Sequence, residues 1–271
     1  MNNVQKKILN IANEVKRICE KYSLRYYLDF GSLLGAVRHH GFIPWDDDID
    51  FCMPRADYEK FIEICKTELN GQFSLRTMQE EKYIYYFIKV DDKTTTLVED
   101  FNRSSGYKGG IYVDIFPLDA LPIGKAKQKN YIRKCKYLYM RANLALVDFG
   151  SKKYPFYKRL IIKLFKHSNG KKYLHKLEKL LKKYDYESAQ FVSSDIMQNQ
   201  PVPKELFEKT ESYVFESSEF TSVQNADKYL TFLYGDYMQL PPIEQRASNH
   251  YYTLDLDVPY ITKYEKENGN A

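Results

Sequence analysis

Four carboxylates crowd one short run of this chain: Asp46, Asp47, Asp48 and Asp50, between Pro44 and Pro54. The run reads as extended chain bracketed by prolines. Side chains on a strand alternate between faces, so Asp46, Asp48 and Asp50 are expected on one face and Ile49 and Phe51 on the other. Carboxylates two residues apart on one face repel one another unless something positive sits between them. A hard divalent cation, Mg2+ or Mn2+, answers that need, and Mg2+ commonly takes one or two carboxylates plus substrate phosphates. An acidic run also fits a solvated loop. Solvated loops seldom interleave Trp45, Ile49, Phe51 and Met53 with their charges, so Asp48 and Asp50 are the expected metal ligands.

The flanking elements must position these groups. Residues 26–30 are aromatic-rich and read as a strand, Gly31-Ser32 as a turn, and residues 33–38 as the start of a helix. A strand, small residues and a helix N-terminus together present backbone N–H groups to a phosphate, although an ordinary turn fits the same residues. Further on, residues 110–117 (GIYVDIFP) read as a second strand. Ile111, Val113 and Ile115 share one face; Tyr112, Asp114 and Phe116 share the other. A lone carboxylate among aromatic side chains needs a partner. Asp114 is expected either to meet a Lys, an Arg or a turn, or to complete a metal site with Asp48 and Asp50.

The run GSLLGAVRHHGFIPWDDDIDFCMPRADYEKF closely resembles the signature of the LicD family, and the segments YVDIFPLDALP and YGDYMQLPP are similar to that family as well. The resemblance implies an α+β fold with a nucleotidyltransferase-like mixed sheet, in which a Gly-Ser turn and a D-x-D pair sit beside a third carboxylate on a neighbouring strand. It also implies transfer of phosphocholine, or of another phospho-alcohol, from a CDP-linked donor to a cell-surface glycan. The site residues it implies are Asp48, Asp50 and Asp114. CDP-choline follows from the resemblance alone; CDP-ribitol and CDP-glycerol remain open. The same carboxylates also fit a nucleotidyltransferase that releases pyrophosphate, or a catalytically silent metal-binding scaffold.

Donor phosphates need cations, and Arg38, Arg55, Lys89 and Arg246 are the candidates, with Gly31 and Ser32 at the turn. Tyr234, Asp236, Tyr237, Arg246 and His250 of the tail are shared with the family and could approach the site.

The chain has 271 residues, enough for one sizeable core. Its net charge of +5 fits an anionic substrate or an anionic membrane surface. The basic residues are spread along the chain without a recognisable nucleic-acid module, so no nucleic-acid partner is expected. Cys19, Cys52, Cys65 and Cys135 lack any C-x-x-C spacing and read as reduced thiols. No apolar stretch approaches a membrane span. The expected location is the cytoplasm or the inner face of the membrane.

A single catalytic domain is expected, with a core over about residues 1–122, a helical insertion over 123–187 and a C-terminal part over 188–262. Helical periodicity falls on residues 3–22, 57–69, 125–149, 171–184 and 227–234. Strands are expected at 73–78, 83–91 and 94–101, and short extended pieces over 188–215. Residues 158–166 are basic and apolar, fitting either a core helix with a basic face or a peripheral contact with the inner membrane surface.

Overall fold

A computed structural model describes residues 1–99, 109–146, 160, 163–165, 169–198, 201–246 and 251–261. Its first helix, α1 (Asn3–Lys21), starts at a capping box: Asn2 accepts from the Gln5 N–H, and the Gln5 side chain accepts from the Asn2 N–H. Its apolar stripe of Ile8, Ile11, Val15 and Ile18 is fully buried. Next come β1 (Tyr27–Leu28), α2 (Phe30–His39), β2 (Asp50–Pro54), α3 (Arg55–Glu68), β3 (Phe73–Arg76), β4 (Ile88–Asp92), β5 (Thr96–Glu99) and β6 (Tyr112–Ala120). The second half contains α4 (Lys125–Leu146), α5 (Gly170–Leu181), β7 (Phe191–Ser193), β8 (Val202–Pro203), β9 (Thr210–Phe215), β10 (Ser218–Val223), α6 (Ala226–Tyr234) and β11 (Tyr251–Asp255).

The main sheet runs β1-β2-β6-β4-β3, with β7 and β8 continuing from the far end of β6. Only β2 and β6 are parallel; the other pairs are antiparallel. The α+β mixed sheet expected from the sequence is therefore present. Alternation sorts the side chains. Phe51, Met53, Val113, Ile115 and Val90 face α1 and α3 in one core cluster. Cys52, Phe116 and Leu118 face the other way, into a second cluster with α4, α5 and α6. β9 and β10 form a hairpin, and the Ser222 hydroxyl of β10 donates to the Leu28 carbonyl of β1 at 2.6 Å. All four cysteines are buried and free.

Several expectations need correction. Gly31 and Ser32 are not a turn between strand and helix: α2 begins at Phe30 and includes both. Asp46, Asp47 and Asp48 are not on a strand, because β2 begins only at Asp50. Residues 83–87 are not extended pairing chain; they are buried aromatic loop, and the Lys171 ammonium of α5 donates to the carbonyls of Met78, Glu80 and Tyr83 there. Most of 158–166 lies outside the described residues, as does His250.

Candidate active site

Register builds the site. In the parallel β2–β6 pair Asp50 stands opposite Asp114, and in the antiparallel β4–β6 pair Lys89 stands opposite the same Asp114. One row across three strands therefore reads Asp50, Asp114, Lys89, all on one face of the sheet. The Asp114 N–H donates to the Ile49 carbonyl at 3.0 Å, which fixes the start of β2 beside β6.

Lys89 is 2% exposed, and its ammonium lies 3.1 Å from Asp114 Oδ1 and 3.3 Å from Glu99 Oε1. Aromatic faces surround it, with the Tyr112 and Tyr85 ring centres 3.3 and 4.5 Å away. The Tyr112 hydroxyl donates to Glu99 at 2.8 Å, and the Tyr85 hydroxyl donates to its other oxygen. Burial opposes the charge on Lys89, but Asp114 and Glu99 together hold its ammonium above the ordinary lysine range.

Asp114 itself is 13% exposed. Loss of hydration pushes its carboxyl up to about 7 against the pull of Lys89, with Glu99 and Asp48 adding to the rise. Asp50 is pushed well above the usual carboxylate range by desolvation, then by Asp48, Asp114, Asp29 and Asp46 in turn. Asp46 is raised by burial and by Asp47. These carboxylates thus crowd one another, and Lys89 meets them at Asp114.

α2 locks Asp50 in place. Asp29 caps the helix, its carboxylate accepting the Phe30 N–H at 2.8 Å and the Tyr229 hydroxyl of α6. Phe30 has φ of 45°, a left-handed conformation that a bulky residue adopts only under constraint. Its ring packs edge-on against Phe116 at 5.5 Å. One residue on, a Cβ on Gly31 would sit 3.2 Å from Asp46 Oδ2. The Ser32 hydroxyl then accepts the Asp50 N–H at 2.9 Å. The Gly-Ser pair therefore lies against the Asp46 carboxylate at Gly31 and holds the Asp50 backbone at Ser32.

The cations divide into two groups. Arg55 makes a two-armed pair with Asp119, its Nε 2.7 Å from Oδ1, and that pair occupies the guanidinium. Arg38 donates to the Tyr237 carbonyl at 2.6 Å, and Arg246 to the Pro241 carbonyl at 2.8 Å. Neither has a carboxylate partner among the described residues. Burial lowers the Arg38 pKa, and the Arg246 charge lowers it further, so the two guanidiniums are neighbours. Arg246 also lies 5.2 Å from the Trp45 ring centre, beside the acidic loop. An open depression of about 260 Å3 there is lined by Pro44, Trp45, Asp46, Asp47 and Tyr251. A larger one, about 560 Å3 around Ser74, Arg76, Glu80 and Tyr260, contains none of these residues.

Of the tail residues, Tyr234 approaches the site: burial and then Asp29, Asp50, Asp46 and Asp48 raise its hydroxyl pKa. The Tyr237 hydroxyl instead donates to Asp227 at 2.9 Å, and Asp236 is exposed. Asp29, Glu99, Tyr85 and Tyr112 were not foreseen. Asp29 carried a signal, an Asp directly before a helix start. Glu99 had little to single it out, since it lies beside Asp100 and shortly after a run of threonines.

The donor set suits a hard divalent cation, being carboxylate oxygens alone. Among the described residues no three His, Cys, Asp or Glu side chains already stand at metal-ligand spacing.

Residues 23–158, half of the chain, match the family described as LicD/FKTN/FKRP, nucleotidyltransferase domain. The lipopolysaccharide cholinephosphotransferase LicD of Haemophilus influenzae is 29% identical over 249 residues, covering 89% of this chain and 92% of its own length. Human and mouse ribitol 5-phosphate transferase FKRP are 51% identical over 39 residues, 14% of this chain and 8% of theirs. The Asp50–Asp114 pair, the helix that holds it and the match to half the sequence agree: the chain belongs to the LicD family.

Proposed function

We propose that the protein is a phosphotransferase that moves phosphocholine from CDP-choline to a sugar hydroxyl of a cell-surface glycan, of teichoic acid or lipopolysaccharide type. The sugar oxygen forms a bond to the choline-bearing phosphorus, the bond from that phosphorus to the bridging oxygen breaks, CMP leaves, and the hydroxyl proton is lost. The observation that carries this reading is the row Asp50, Asp114, Lys89 beside the acidic loop. The head group rests on the relative in Haemophilus influenzae.

Such transfers gain most from positioning and from charge stabilisation. A bound Mg2+ or Mn2+, held by Asp48 and Asp50 with Asp114, would supply positive charge to the donor diphosphate. The chain's own groups do the rest. Arg38 and Arg246, cations without a carboxylate partner among the described residues, suit the diphosphate. Gly31 at the N-terminus of α2 offers a backbone donor to the same phosphates. Asp114 has two alternative roles, ligation of that metal or acceptance of the hydroxyl proton. Lys89 keeps that carboxylate aimed, and Ser32 keeps Asp50 in register.

Transfer of ribitol phosphate from CDP-ribitol is the second reading, favoured by the short FKRP match. The test is CMP release from CDP-choline, CDP-ribitol and CDP-glycerol with a teichoic acid or lipopolysaccharide acceptor, in Mg2+ and in EDTA. Metal-dependent release from CDP-choline alone is expected. Release from CDP-ribitol alone selects the second reading. Silence from all three, with pyrophosphate released from nucleoside triphosphates, overturns both.

A further inference from the structure

Charge is unevenly distributed over this molecule. α4 carries seven Lys or Arg and no Asp or Glu, and α5 carries four Lys and one Glu, a net of +10 on the two helices. The whole chain is +5, so everything outside them is net −5. These two helices pack against one another as a hairpin and bury Cys135, Leu138, Ala142, Leu174 and Leu177 between themselves and the core. Their outward cations have little internal compensation. Among the described residues no cation of α4 meets a carboxylate: Arg133 meets Asn130, and Arg141 meets the hydroxyls of Tyr137 and Tyr173. Like charges concentrated on one hairpin raise its energy unless an outside anion offsets them.

The same surface is also apolar in a specific pattern. Lys129, Arg133, Tyr137 and Met140 recur at helical spacing on the side of α4 opposite its buried Tyr131, Cys135, Leu138 and Ala142. Tyr137 is 49% and Met140 50% exposed, and Leu164, beyond the end of α4, is 70% exposed. A soluble polyanion requires only the cations. An exposed tyrosine and methionine among lysines suit the headgroup level of a bilayer, where an apolar body and a wet tip are both accommodated.

We propose that the outward face of the α4–α5 hairpin docks on an anionic membrane surface. The contact is peripheral, since no described helix is long and apolar enough to cross a bilayer. Anionic headgroups supply the missing negative charge, and Tyr137 and Met140 enter the interface between them.

The test is sedimentation of the full-length protein with vesicles of pure phosphatidylcholine and of phosphatidylcholine mixed with phosphatidylglycerol. Binding to the mixed vesicles alone is expected, weakening as salt rises. The double variant Arg133→Glu/Lys134→Glu is expected to lower the partition on the order of tenfold or more. Tyr137→Ser/Met140→Ser is expected to lower it severalfold, with unchanged circular dichroism in both. Wild-type protein left in the supernatant with mixed vesicles overturns the proposal, as does a charge-reversed variant that sediments normally. A Tyr137→Ser/Met140→Ser variant that sediments like wild type also overturns it, and gives the face to a soluble polyanion.

Discussion

Asp114 stands between opposite demands. Lys89 draws it toward the ionised form, while burial, Glu99 and Asp48 draw it toward the protonated one. Desolvation and the neighbouring carboxylates both penalise the charge on Asp50, so neutralising it removes repulsion and shape is kept. Asp50→Asn is expected to lose more turnover than the roughly 10–100-fold that follows loss of a metal ligand's supporting partner, while its thermal midpoint holds or rises. Near-normal CMP release by that variant would remove Asp50 from the site. Lys89→Met has the opposite profile. It strands Asp114 and Glu99 without their buried counter-charge, which costs about 3–5 kcal/mol in buried pairs. Urea unfolding is the measurement, and a loss below about 1 kcal/mol would show the pair to be dispensable. The three aspartates of the metal hypothesis were legible as residue types. The family resemblance implied a third carboxylate on a neighbouring strand; the meeting of Lys89 with Asp114 and of Ser32 with Asp50 was not legible, because it arises from strand register and from the α2–β2 connection.

At the scale of elements, α2 is the part that converts sequence into geometry. It is tied to Asp29 at its start and packed tightly near its end: a Cβ on Gly35 would lie 2.4 Å from the Gly41 carbonyl oxygen. That contact is backbone on both sides and has little room to yield. Gly35→Ala is expected to shift the helix, cost about 1–3 kcal/mol and lower turnover through Ser32 and Asp50, read by thermal melting and CMP release together. Unchanged melting and activity would show that the loop after α2 can move aside. β6 was readable in the sequence because both its faces alternate cleanly, and its Val113 and Ile115 are fully buried, as is Ile111 just before it. Residues 83–87 misled for a physical reason: their rings fill the core, but their neighbouring carbonyls are satisfied by Lys171 and not by a strand. β9 falls within the short extended pieces expected over 188–215, but β10 and its pairing with β9 were not expected, because the two strands are largely polar and only Phe215, Phe220, Ser222 and Val223 are buried.

At the scale of the whole molecule, one sheet separates two cores, and the site lies on the face shared with α4, α5 and α6. Binding energy at the carboxylates is therefore communicated to the global unfolding equilibrium. A ligand held only by the native state stabilises by RT ln(1 + [L]/Kd), about 2.7 kcal/mol at a hundredfold excess over Kd. Mg2+ and the CDP donor together are expected to raise the melting temperature beyond the sum of their separate effects, since each completes the other's shell. Strict additivity would show that cation and donor bind independently.

The single tryptophan has a use that its position confers. Trp45 is the only indole in 271 residues, it directly precedes Asp46, and Arg246 lies over its ring. Its emission should respond to whatever enters the acidic loop, because a cation there changes the field on the ring and a diphosphate draws on the same arginine. The 25 tyrosines can be excluded by exciting at the red edge of the absorption band. The protein thus carries its own unlabelled optical reporter, placed at the threshold of the site, and a titration followed by light emission alone can rank cations and donors before any acceptor has been identified.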